Sequence, residues 1–147
     1  MLFSLTALAP SAAFAAATER IVVDRYTGLA IGGIDPVAYF TDSEPLPGKA
    51  DIEVLAEGAV WRFRNEGNRA AFLAAPEVYS PRFGGYDPVG AAEGKAVAGM
   101  ARLWVIWQRR LYLFARQDNR DAFAAQPERY LGDADRNWPA IQQGLVE

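Results

Sequence analysis

The sequence predicts an α+β fold: two tandem ββα units packed as one pseudo-symmetric small domain. Three observations predict it. VWRFRNEGNRAAFLAAPEVY (Val60 to Tyr79) aligns without a gap on LYLFARQDNRDAFAAQPERY (Leu111 to Tyr130), an offset of 51 (111 minus 60). GGIDPVAYF (Gly32 to Phe40) returns as GGYDPVG (Gly84 to Gly90), with Asp35 and Asp87 standing 52 apart (87 minus 35). The offsets differ by one, so a whole unit recurs with one net gap. Finally, 147 residues with 51% hydrophobic and 22% charged content are enough to bury a core, and read as ordered. A lone ββα unit is marginal, so the two are expected to pack together.

The elements follow in chain order. Residues 1–17 fit a secretory signal peptide: Leu2 to Ala9 is an apolar run, and Ala13-Phe14-Ala15 or Ala15-Ala16-Ala17 offers small residues at cleavage spacing. No Lys or Arg precedes the run, and the alternative is a short apolar helix packed on the domain. The folded domain is expected over 18–143, with repeat units at about 29–80 and 81–141. No later run reaches the roughly 18 apolar residues of a membrane span.

Each unit opens on an Asp-Pro-Val turn. Asp before Pro is an N-cap followed by N1 of a helical turn, and the preceding Gly-Gly pairs suit positive φ. A hairpin comes next. The first is expected over Ile52 to Ala56 and Ala59 to Arg64, around a Glu57-Gly58 turn. The second is expected over Leu103 to Trp107 and Leu111 to Ala115, around Gln108 to Arg110. The second is apolar on both faces and therefore more buried. A helix closes each unit, with Phe72 or Phe123 facing the hairpin. Asp118 is expected to cap the second helix and Gly67 the first; Pro76 and Pro127 are expected to end them.

Composition narrows the chemistry. There is no Cys and no His, which removes thiol nucleophiles, disulfides, imidazole acid/base catalysis and the usual ligands of zinc, copper and haem. Net charge is −3, giving no basic surface for nucleic acid. No catalytic residue, metal or cofactor is assigned.

The candidate ligand-binding residues are Asp35, Asp87, Tyr39, Tyr86, Arg69 and Arg120. Asp35 and Asp87 form a symmetry-related carboxylate pair suited to a hard cation or to acid/base work, against the simpler role of helix caps. Arg69 and Arg120, at helix starts, suit an anion, against solvated arginines paired with Glu77 and Glu128. Tyr39 and Tyr86, with Trp61, Trp104, Trp107 and Tyr112, would line a cleft between the units or fill the core.

Several of these residues resemble the YHS domain family, whose pattern runs from Asp-Pro-Val-Cys through a hairpin to Phe and Pro-Glu-x-Tyr. Asp35-Pro36-Val37 and Asp87-Pro88-Val89 match its start. Phe63 and Phe114 match the strand end, and Phe72, Pro76, Glu77, Tyr79 and Phe123, Pro127, Glu128, Tyr130 match its close. The order of Gly33 to Phe40, Tyr79 to Tyr86 and Asn137-Trp138-Pro139 is similar to longer exported bacterial proteins of that family. The resemblance covers about Leu29 to Ile141. It implies soft-metal cysteines at positions that here hold Ala38, Gly90, Arg64, Ala115, Asn68, Asn119 and Asp87, so the family's metal site is not expected. The reading is an exported, periplasmic or secreted binding or accessory module for a small molecule or envelope protein. The alternatives are a carboxylate-based enzyme or hard-cation site at Asp35 and Asp87, and a structural envelope protein.

Overall fold

The computed structural model describes residues 20–145. The expected signal peptide lies outside the described residues. Among the described residues two antiparallel two-stranded sheets and six α-helices make an α+β fold. The first half runs α1 (Ala38–Thr41), β1 (Lys49–Ala56), β2 (Ala59–Phe63), α2 (Glu66–Ala74) and α3 (Pro76–Tyr79). The second runs α4 (Pro88–Ala92), β3 (Met100–Trp107), β4 (Arg110–Phe114), α5 (Gln117–Ala125) and α6 (Pro127–Gly144).

The halves agree in fine detail. Each hairpin carries a register irregularity at the same place, between Lys49 and Glu53 and between Met100 and Trp104. Phe72 of α2 packs on Trp61 and Phe63 with ring centroids 5.0 and 5.2 Å away; Phe123 of α5 packs on Tyr112 and Phe114 at the same 5.0 and 5.2 Å. Before each Asp-Pro-Val lies a 3-10 turn with positive φ, at Ile31, Gly32 and Gly33 and at Phe83, Gly84 and Gly85. Glycine permits this conformation without a Cβ clash.

Two links between the halves are the leading segment and a shared strand. Val22 donates to the Gly84 carbonyl and accepts from the Ile31 amide, bridging both glycine turns. A Cβ on Gly84 would lie 1.8 Å from the Arg20 carbonyl oxygen, so only glycine lets this segment lie so close. The second link is β4. Tyr112 and Phe114 enter their own half's core, whereas Leu111 and Leu113 enter the core of the first half. This is why the second hairpin is apolar on both faces, and four consecutive β4 residues are buried.

Four local expectations are corrected. The strands β1 and β3 begin three residues earlier than their apolar runs, while β2 and β4 end one residue sooner, at Phe63 and Phe114. Gly67 lies inside α2; the cap is Asn65, whose side chain accepts from the Asn68 amide at 2.8 Å. Asp118 lies in the first turn of α5, after an Arg116 N-cap with no side-chain cap bond. Pro76 and Pro127 do not merely stop helices. Each occupies the first turn of another, α3 and the 18-residue α6, where a missing N–H costs nothing.

Candidate functional site

The Asp-Pro-Val aspartates are both fully buried, and both oxygens of each are hydrogen-bonded. Asp35 Oδ1 accepts from the Val37 amide at 2.8 Å. Its Oδ2 accepts from the Arg64 amide at 2.8 Å and from Asn68 Nδ2 at 2.7 Å. Asp87 repeats the pattern. Oδ1 accepts from the Val89 and Gly90 amides at 2.8 and 3.4 Å, and Oδ2 from the Ala115 amide and Asn119 Nδ2, both at 2.8 Å. Each carboxylate thus ties a turn, a strand end and a helix in its own half. The sequence expectation of a helix cap holds for Asp87 at α4 and is corrected for Asp35, whose bond to Val37 closes a turn ahead of α1 while Val37 itself is that helix's N-cap; the reach to Asn68 and Asn119 was not legible. Among the described residues no group of three or more Asp, Glu, His or Cys is placed to hold a metal ion.

The other candidates are distributed. Tyr39 is buried, donates to the Ala101 carbonyl at 2.7 Å and meets Trp104 edge-on at 5.3 Å, joining the halves. Burial pushes its phenol well above the ordinary range. Tyr86 is buried with its ring 6.1 Å from Trp138. Arg69 pairs with Glu66 at 2.8 Å and Arg120 with Asp121 at 3.4 Å, rather than with Glu77 and Glu128. The six residues are not gathered into one site.

A different set of residues forms the cleft between the halves. It has a volume of about 570 Å³. The first half contributes Glu57, Glu77 and Ser80. The second contributes Arg82, Phe83, Arg110 and Trp138, and the leading segment adds Arg20 and Ile21. Arg82 is held by Asp135 of α6 and lies over the Phe83 ring at 4.9 Å. Phe83 in turn meets Trp138 edge-on at 5.3 Å, giving the cleft an aromatic wall.

Among the described residues two buried side-chain polar atoms lack a hydrogen-bond partner, Ser80 Oγ and Arg110 Nε; both residues line this cleft. Leaving such a group unpaired costs about 1–3 kcal/mol, so the pair marks a place where polar capacity is unspent. Desolvation, and then the neighbouring Arg82 guanidinium, hold Arg110 below the usual guanidinium range. Desolvation raises Glu57 above the usual carboxylate range.

None of these residues was expected from the sequence to bind a ligand, and the aromatics expected to line a cleft, Tyr39, Tyr86, Trp61, Trp104, Trp107 and Tyr112, are not among them. One signal was available. At the repeat offsets, Arg82 and Arg110 stand where the first half has Ala30 and Ala59, both buried. Comparison with family models, curated proteins and solved structures gives no match.

Proposed function

We propose that this protein is a non-enzymatic binding or accessory module, and that its ligand seats in the cleft between the two halves. The observation that carries the reading is the cleft itself: it combines an aromatic wall with two unpartnered buried polar atoms. The lack of His and Cys supports a binding role over a catalytic one. The aspartate geometry also supports it, because the oxygens of Asp35 and Asp87 are engaged by amides that hold the fold.

The resemblance to YHS domains and the apolar N-terminal run support placing this module outside the cytoplasm, as an exported YHS-like protein lacking the family's thiolates. Arg64 and Ala115, at two positions where the resemblance implies cysteine, use their backbone amides to serve the aspartates; Asn68 and Asn119 use their side chains. Thermal-shift screening of the purified protein against a metabolite panel and metal salts tests the binding role. Stabilisation by a metabolite, abolished by Trp138→Ala, is expected. Turnover of a panel compound, or stabilisation unaffected by changes in the cleft, would overturn it.

A further inference from the structure

Resting on that reading, we infer that the cleft takes a small organic oxyanion, a carboxylate or phosphate monoester, with its charged end at Arg110 and Ser80 and its apolar body against Phe83 and Trp138. Arg110 Nε is a buried donor without an acceptor, and Ser80 is 7% exposed with its hydroxyl unpaired. An oxyanion is the group chemically suited to both, since a guanidinium presents a fork of donors and a hydroxyl one more. Desolvation first, and the Arg82 guanidinium second, hold Arg110 below its usual range, and a negative charge seated at Arg110 offsets both.

The halves supply an independent argument. Ala30 and Ala59, the counterparts of Arg82 and Arg110, are 0% and 2% exposed. The Ala30 amide bonds directly to the Val60 carbonyl at 2.8 Å, closing the 3-10 turn onto β2. In the second half the corresponding positions carry two cations and border an open cleft. The fold itself does not require arginine there. Glu57 and Glu77 line the same cleft and oppose an anion, so they limit its charge and favour the singly charged carboxylate over the phosphate monoester, which is largely a dianion at neutral pH.

Titration of the intact protein with phenylacetate, phenyl phosphate and neutral phenylacetamide, read by the Trp138 indole NMR signal, tests the inference. Phenylacetate or phenyl phosphate is expected to bind, and phenylacetamide to bind about tenfold more weakly or not at all. The stronger of the two anions identifies the oxyanion source. Arg110→Gln is expected to weaken that anion by about tenfold or more, and Ser80→Ala by about fivefold. Glu57→Gln, which removes an opposing charge, is expected to tighten it by about twofold. If Arg110→Gln fails to fold, the Ser80 and Glu57 variants decide. Equal binding of phenylacetamide and phenylacetate at the cleft would overturn the anion inference while leaving the binding role intact. Absence of any Trp138 response to the three probes would also overturn it, and the metabolite panel then tests the binding role separately.

Discussion

Strands β2 and β4 occupy equivalent places in the two halves, yet only one of them serves both. In β2, Trp61 and Phe63 face the core while Arg62 turns outward to Glu53 at 2.8 Å. In β4 the inward pair is Tyr112 and Phe114, and the other face carries Leu111 and Leu113, buried in the first half. Arg62 and Leu113 are counterparts at an offset of 51 (113 minus 62). The inward faces preserve each unit; the outward faces decide how two units become one domain. The cleft belongs to the second class, because its arginines stand where the first half has alanines.

The strongest test strikes what the halves share. Asp35→Ala strips the acceptor from two backbone amides and an asparagine, and Asp87→Ala from three amides and an asparagine. Each variant is expected to lose about 4 kcal/mol, since buried donors are left unpaired. Urea unfolding measures this, and similar losses at both sites would show that the two knots are equivalent. A loss below about 1 kcal/mol at either would show that its donors find other partners.

Leu113→Ala strikes what they do not share. Truncating this fully buried side chain is expected to cost about 3 kcal/mol. Because Leu113 belongs to the second half's strand and the first half's core, unfolding should stay a single transition by both fluorescence and circular dichroism. Two separated transitions would mean that the halves fold independently.

This division explains what could be read in advance. The repeat, the hairpins, the mid-helix phenylalanines and the Asp87 cap are written in short-range patterns, so residue type and spacing reveal them. Helix α6 was hidden because Pro127 reads equally as a stop and as a first-turn residue. Gly132 and Pro139 within α6 also weaken its helical signal. The cap of α5 was misplaced because Arg116 offers no side-chain cap bond and Asp118 looks like a better cap. The cleft was hidden for another reason. Ser80, Arg82, Arg110 and Trp138 come from separate elements, and only the packing of the halves assembles them. Aligning the halves exposes the alanine-to-arginine changes, but not the space in front of them.

The two hairpin turns give a smaller contrast. Both have positive φ at their two turn residues, Glu57 and Gly58 at 54° and 76° and Gln108 and Arg109 at 48° and 61°. The first half has glycine at the second position; the second half has none. Arg109→Gly is therefore expected to stabilise by about 0.5–1 kcal/mol, the left-handed penalty less the entropy of glycine. Gly58→Ala should destabilise by a similar amount. A neutral or destabilising Arg109→Gly would mean that the Arg109 side chain contributes more than its backbone strain costs.

The smallest expected effect is a pH dependence at the cleft rim. Glu57 is exposed on one side and shielded on the other, and desolvation raises its pKa above the ordinary 4.5. In the folded state the neutral form is therefore relatively favoured, and the folded protein holds a proton that the unfolded chain has released. Stability from this group is fully present below the unfolded value and is lost as pH rises through the higher folded value. Glu57→Gln should flatten that part of the stability profile, seen as urea midpoints that converge with wild type at low pH and exceed it above the transition. The counterpart in the other turn is Gln108, which does not titrate, so Gln108→Glu asks whether the rim environment or the turn itself sets the shift. A new pH-dependent loss of stability in Gln108→Glu would assign it to the turn. An unchanged profile would assign it to the cleft, where the same burial that raises Glu57 leaves Arg110 Nε without an acceptor.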